Sequence, residues 1–192
     1  MRVPPLPECL PRRGNAFSSA VARALLGASG WRIEGDFPPR PKLVAIVAPH
    51  TSNWDFVVGI LAVFAIGIRV RFLAKHTLFA NRWLGGLMRW CGGMPVNRAA
   101  PQGLVPQVVE AIESADRVFL GITPAGTRSS TKPWKSGFYH IAVAARVPIL
   151  PVVFDGAART IRLLPPFEPS GNYDADLPKL LALYAGVRGL KG

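Results

Sequence analysis

Two kinds of apolar patterning alternate along this chain. Short continuous runs, Leu43–Ala48 (LVAIVA), Arg117–Ile122 (RVFLGI) and Ile149–Phe154 (ILPVVF), read as strands buried on both faces. Val70–Ala74 reads as another strand, and Thr160–Leu163 as a short one. Helical patterns occupy 15–29, Asn53–Gly67, Phe79–Cys91, Gln102–Ser114, Ser136–Ala145 and Asp176–Ala185. In the first of these, Phe17, Val21, Ala24, Leu25 and Ala28 fall near one face, with Arg23 elsewhere. Gly35, Pro38, Pro39 and Pro41 break the chain after it. This divides an N-terminal segment, 1–40, from a main domain, 41–192. Strands alternating with helices predict an α/β fold: a central, largely parallel or mixed sheet with helices on both faces, preceded by an amphipathic helix. In such sheets ligands gather at the carboxyl ends of strands. Three loops therefore matter most, those after Ala48, Ala74 and Ile122.

At 192 residues and 49% apolar composition, the chain has enough material for one domain with a real core, and polar disorder is excluded. Two cysteines and three histidines provide neither a disulfide scaffold nor a zinc-binding spacing, so no metal is expected. The proline-rich start, MRVPPLPECLP, lacks the apolar core of a secretory signal, and Cys9 reads as an ordinary thiol. The apolar run Phe56–Ile68 is shorter than the roughly 20 residues a bilayer span needs. With Asp55 before it and Arg69 and Arg71 after it, a buried helix is expected, in a protein on the cytosolic side.

The net charge of +12 calls for an anionic partner: nucleic acid, lipid headgroups or a phosphorylated substrate. No acid lies between Asp55 and Glu110, a stretch holding Arg69, Arg71, Lys75, Arg82, Arg89 and Arg98. None lies between Asp116 and Asp155 either, among Arg117, Arg128, Lys132, Lys135 and Arg146. Nucleic acid is disfavoured, because the aromatic residues sit within apolar segments rather than among basic ones. A serine hydrolase is disfavoured too, for want of a Gly-x-Ser-x-Gly elbow.

The segment Pro49-His50-Thr51-Ser52-Asn53-Trp54-Asp55 carries the most chemistry. In a continuous helix, side chains five residues apart point roughly 140° from each other and do not meet. If His50 instead sits in the strand-to-helix turn, with Ser52 or Asn53 as N-cap, Asp55 falls in the first helical turn and can fold back onto the imidazole. A carboxylate on one ring nitrogen fixes the tautomer and leaves the other nitrogen as a general base. A purely structural His–Asp pair has the same spacing. His76 and His140 have no carboxylate nearby and read as structural or solvent-facing. Thr123-Pro124-Ala125-Gly126-Thr127-Arg128-Ser129 offers turn amides, hydroxyls and a forked arginine to an anion. Gly92-Gly93-Met94-Pro95-Val96-Asn97-Arg98 is a second glycine turn leading to an arginine. Val147-Pro148-Ile149-Leu150-Pro151-Val152 places prolines at what reads as a strand's start.

Taken in order, these four segments make the chain resemble the lysophosphatidic acid acyltransferases, the PlsC-like glycerolipid acyltransferase family. Its His-x4-Asp box is matched by His50 and Asp55, and its Gly-Gly-x-x-Val-x-Arg box by Gly92 to Arg98. Its Pro-Glu-Gly-Thr-Arg box is matched by Pro124 to Arg128 with Ala125 in place of glutamate, and its Val-Pro-Ile-x-Pro-Val box by Val147 to Val152. The resemblance runs from about Leu43 to Phe154. It implies an acyltransferase fold in which His50, with Asp55, deprotonates the hydroxyl of a lysophospholipid such as 1-acyl-glycerol-3-phosphate. The acyl donor is then acyl-CoA or acyl carrier protein, with no bound cofactor. Lys75, Arg98 and the Ala125, Gly126, Thr127 and Arg128 turn hold the acceptor's phosphate. The helix at 56–68 lines an acyl trough, or is plain core. The helix at 15–29 lies on an anionic membrane surface at the cytoplasmic face, or packs on the sheet. Ala125 leaves three explanations: an altered acceptor site, a weakened or non-catalytic lipid- or phosphate-binding member, or deliberate removal of the glutamate. The intact neighbours favour deliberate substitution over decay.

Overall fold

The computed structural model describes residues 1–50, 52–97, 103–125, 133–187 and 189, with Asn53 and Lys75 described through their backbone. In chain order the elements are α1 (Ala16–Ala28), β1 (Arg32–Glu34), β2 (Lys42–Ala48), α2 (Asn53–Ile66), β3 (Val70–Lys75), α3 (Arg82–Cys91), β4 (Gly93–Val96), α4 (Leu104–Glu113), β5 (Val118–Ile122), α5 (Gly137–Ala144), β6 (Ile149–Asp155), β7 (Thr160–Leu163) and α6 (Tyr173–Ala182). They build one sheet, ordered β1-β7-β6-β2-β5-β3-β4. Strands β2 to β6 run parallel to one another, while β7 pairs antiparallel with β6 and parallel with β1. The expected α/β fold with a largely parallel, mixed sheet is what forms.

Why β2 reads as a continuous apolar run is visible in its packing. Leu43 and Ala45 point into one core layer with Ala22 and Leu26 of α1 and Val58, Ala62 and Ala65 of α2. Val44 and Ile46 point into the opposite layer with Val108 and Ile112 of α4, Tyr139 and Ile141 of α5, and Leu180 of α6. Both faces of the strand are covered, so period-2 alternation has nothing polar to show. Each large aliphatic buried this way contributes about 1.5–3 kcal/mol, which anchors the strand on which the site is built.

Several expectations need correcting. Two strands escape the apolar pattern. In β1, Ile33 alone is buried, and three residues are too few for a period. In β4, a glycine and a proline read as a turn, but this is an edge strand, where Pro95 lacks no needed donor. Gly92, at φ +99, ends α3 and lets its backbone press on the carbonyl of Val70, which no side chain permits. Pro151 is not at a strand's start but inside β6. Its carbonyl accepts from Leu164 N–H at 3.0 Å, just past the last paired residue of β7, so the donor it lacks falls where that ladder ends. The helix expected at Phe79–Cys91 begins at Arg82, after a 3-10 turn at His76–Phe79. The last helix starts at Tyr173, three residues early, because Asn172 caps it. The helix expected over 56–68 to be buried is half exposed, with Trp54, Phe56 and Val57 open on its first turns. In α1 the stripe Phe17, Val21 and Leu25 faces outward, Phe17 at 77% exposure, while Ala22 and Leu26 face the core. No helix of the described residues is long and apolar enough to cross a membrane.

The C-terminal helix is locked by a buried carboxylate. Asp176 Oδ2 accepts from Ser170 N–H at 2.7 Å and from Tyr139 O–H at 2.8 Å, and Oδ1 accepts from Lys179 Nζ at 3.0 Å. The Ser170 amide, helped by Tyr139 and Lys179 and opposed by burial, holds this carboxyl well below the usual carboxylate range. A depressed native pKa means the unfolded chain binds the proton first, so the stabilisation is complete above the unfolded pKa of about 3.9 and fades as pH falls below it. Urea midpoints measured across this range should drop on acidification in the wild type. An Asp176→Asn protein should start less stable at neutral pH and lose less on acidification; parallel curves would contradict the assignment.

Candidate active site

At the carboxyl end of β2 the chain leaves the sheet through a cis Ala48–Pro49 peptide and reaches His50. Ser52 caps α2 with extended backbone, φ −136 and ψ 158, and its hydroxyl accepts from Trp54 N–H at 3.2 Å. Asp55 is the third helical residue, and its carboxylate reaches back so that Oδ2 accepts from Ser52 N–H at 2.8 Å. This reciprocal capping box satisfies backbone donors that a helix start leaves open. It also turns the carboxylate out of the helix barrel and back over the preceding turn. There Oδ2 lies 3.2 Å from His50 Nδ1.

The pair is sheltered on one side only. The Asp55 side chain is 3% exposed and that of His50 is 23% exposed. A proton on Nδ1 fits between the ring and the carboxylate, and among the described residues no group bonds Nε2. A carboxylate on Nδ1 favours the Nδ1–H tautomer of a neutral imidazole, which leaves a lone pair on Nε2. A histidine and a carboxylate so disposed meet the geometric requirement for a general base with an orienting acid.

Of the other expected residues, Lys75 and Ala125 lie at or just beyond the carboxyl ends of strands parallel to β2. Ile46 of β2 registers with Ile122 of β5, so the chain after each leaves on neighbouring parallel strands. Beyond Ile122, Pro124 is buried and Ala125 is partly buried in a turn, with Pro124 O accepting from Lys135 N–H at 3.0 Å. Lys75 ends β3, paired with Val96 at the end of β4. Arg98, Gly126, Thr127 and Arg128 lie outside the described residues, as does Thr51. The Val147–Val152 segment does not join the site: it runs into β6 and is buried in the sheet. His76 and His140 are exposed. The contribution that sequence reasoning did not single out is the Ser52 amide as the second donor to Asp55. The Ser-x-x-Asp spacing was its signal.

Two substitutions separate the cap from the imidazole. Ser52→Ala should cost about 1 kcal/mol of stability in urea titration, as loss of a helix cap does. Asp55→Asn keeps an acceptor for the Ser52 amide but faces Nδ1 with an NH₂ group. Nitrogen-15 NMR should show His50 as the Nδ1–H tautomer in the wild type and shifted towards Nε2–H in Asp55→Asn. An unchanged tautomer would mean Asp55 does not set it.

Comparison with known proteins places this geometry. The Acyltransferase family model matches residues 32–155. A 1-acyl-sn-glycerol-3-phosphate acyltransferase of Streptococcus pneumoniae is 31% identical over 74% of this chain and 56% of its own length. The 1-acyl-sn-glycerol-3-phosphate acyltransferase alpha of Mus musculus is 30% identical over 91% of this chain and 70% of its own. The chain spans little more than half the length of the bacterial relatives from Streptococcus pneumoniae and Bacillus subtilis, 56% and 55%. The crystal structure of the PlsC acyltransferase of Thermotoga maritima shares the fold, with a TM-score of 0.60 at 18% identity, covering 91% of this chain and 80% of that one. The motifs around His50, the sheet that presents them and the matched family model agree: this chain belongs to the Acyltransferase family.

Proposed function

We propose that this chain transfers a fatty acyl group from an acyl thioester, carried by CoA or acyl carrier protein, to the free hydroxyl of a lysophospholipid such as 1-acyl-glycerol-3-phosphate. The observation that carries this reading is the His50 Nδ1–Asp55 Oδ2 contact of 3.2 Å at the carboxyl end of β2. His50 Nε2 takes the hydroxyl proton as the oxygen attacks the thioester carbonyl. The C–S bond then breaks as the ester forms, and the imidazolium returns the proton to the departing thiolate. Asp55 stabilises the imidazolium while it exists. Lys75, Arg98, Gly126, Thr127 and Arg128 are the groups proposed to hold the acceptor's phosphate, and the acid-free stretches around them supply the field. Trp54, Phe56 and Val57, exposed on the turns of α2 after the base, supply apolar surface for an acyl chain. The relatives' names support the acceptor class.

The outward stripe of α1, with Arg12 and Arg13 before it, supports docking on an anionic membrane at its cytoplasmic face. A second reading rests on Ala125. Its methyl group offers no acceptor to an arginine or a glycerol hydroxyl, which favours a weakened or non-catalytic lipid- or phosphate-binding member.

Acyl transfer from acyl-CoA to lysophosphatidic acid tests both readings. Against a wild type with measurable turnover, His50→Ala should lose about 10²–10⁴-fold with the fold retained. Near-normal turnover would overturn the base assignment. Ala125→Glu should raise the rate. If Ala125 is already the faster version, the acceptor site is built for a different headgroup. Binding to anionic vesicles should weaken steeply with salt, because exposed charges are screened over about 10 Å at 0.1 M. Equal binding to neutral and anionic vesicles at low salt would contradict an electrostatic contribution.

A further inference from the structure

The helix α3 presents an apolar face that no described element covers. Trp83 is 87% exposed and Trp90 60%, with Leu84 and Leu87 also open. At 100° per residue, Trp83, Leu87 and Trp90 fall within one narrow sector. Gly85 marks the packed side, where an added Cβ would come within 2.8 Å of the Phe79 carbonyl. Arg82 and Arg89 border one edge of the apolar sector, the Arg89 guanidinium 5.3 Å from the Phe79 ring centroid, and among the described residues neither forms an ion pair.

The end of α3 is fastened to the start of α1. The Arg13 guanidinium lies over the rings of Phe64 and Trp90, 4.7 and 4.5 Å from their centroids, and donates to the Trp90 carbonyl. Two residues after Arg13 comes Asn15, the cap of α1, whose outward stripe starts at Phe17. The two exposed apolar faces are therefore joined through one clamped cation.

We propose that α3 is a second membrane-inserting element, seating Trp83, Leu87 and Trp90 at the acyl–headgroup boundary of an anionic bilayer with Arg82 and Arg89 at the phosphates. Tryptophan suits that boundary, where a ring that is apolar but carries one donor meets both phases. Charge selects lipid over a second copy of the chain. A symmetric pair through α3 would bring Arg82 and Arg89 against their own images, with no acid between Asp55 and Glu110 to relieve them. This inference rests on the membrane-surface reading above and adds a second contact that α1 alone does not supply.

The test is co-sedimentation of the full chain with phosphatidylglycerol–phosphatidylcholine vesicles. A Trp83→Ser, Leu87→Ser double variant changes exposed side chains only, and its circular dichroism should match the wild type. Its partition coefficient should fall by at least about tenfold. Arg82→Gln should weaken binding about fivefold on anionic vesicles and leave neutral ones unaffected. Wild-type affinity in the double variant, while Phe17→Ser abolishes binding, would confine docking to α1 and overturn the proposal. So would a wild-type dimer that the double variant makes monomeric with vesicle binding unchanged. Acyl transfer in detergent without vesicle binding by the wild type leaves the enzymatic reading standing and removes this one. Vesicle binding through α3 without acyl transfer does the reverse.

Discussion

One carboxylate oxygen holds the site together. Asp55 Oδ2 receives the Ser52 amide at 2.8 Å and lies 3.2 Å from His50 Nδ1, so a single buried atom both starts α2 and orients the imidazole. The capping box explains why the spacing has to be five residues. The acid must be the third helical residue to reach the cap amide, and the histidine must precede the cap by two to lie under the same oxygen. Shift either residue by one and the helix keeps its cap or the imidazole keeps its partner, but not both. Orientation is thus built in part from backbone hydrogen bonding that the fold needs anyway.

That turn is only as well placed as the strand beneath it. Strand β2 is covered on both faces and paired on both edges, by β5 and β6, so its carboxyl end has little freedom. Tyr184 adds a tether there, its O–H donating to the Ile46 carbonyl at 2.9 Å from the far end of the chain. Parallel pairing then brings the ends of β5, β3 and β4 to the same edge. Segments separated by long stretches of sequence converge because a parallel sheet aligns strand ends, whereas an antiparallel one would send alternate ends away.

What was legible in the sequence follows from this. The central strands were readable because double-sided burial leaves an unbroken apolar signature, and the His50–Asp55 pair because its residue types and spacing are chemically demanding. The edges were not. Three residues of β1 and the Gly-Met-Pro-Val of β4 carry too little pattern, and their pairing is decided by strands distant in sequence. The apolar residues of α1 were identified but assigned no side, since periodicity marks a stripe without saying what covers it. Phe17 and Leu25 meet solvent, while the smaller Ala22 packs inward with Leu26. The same ambiguity hid the half exposure of α2, a helix apolar all round whose inner face is set by α1 and the sheet.

Helices α1, α2 and α3 share a physical oddity that the core does not explain. A soluble domain of this size has little reason to leave Phe17, Leu25, Trp54, Leu87, Trp83 and Trp90 in water, when each such side chain gains about 1.5–3 kcal/mol on leaving it. The buried side of the same helices mixes small residues, Ala22, Ala62, Ala65 and Gly85, with Leu26, Val58 and Cys91, so the largest apolar side chains of α1 and α3 other than Leu26 lie outward. A sequence selected for water alone would place these sizes the other way round. On the proposed reading the inversion has a use. The acceptor and the acyl product are themselves amphiphiles, so apolar surface withheld from the core concentrates the protein on the phase that holds them. Bordering arginines then keep the same surface from pairing with itself.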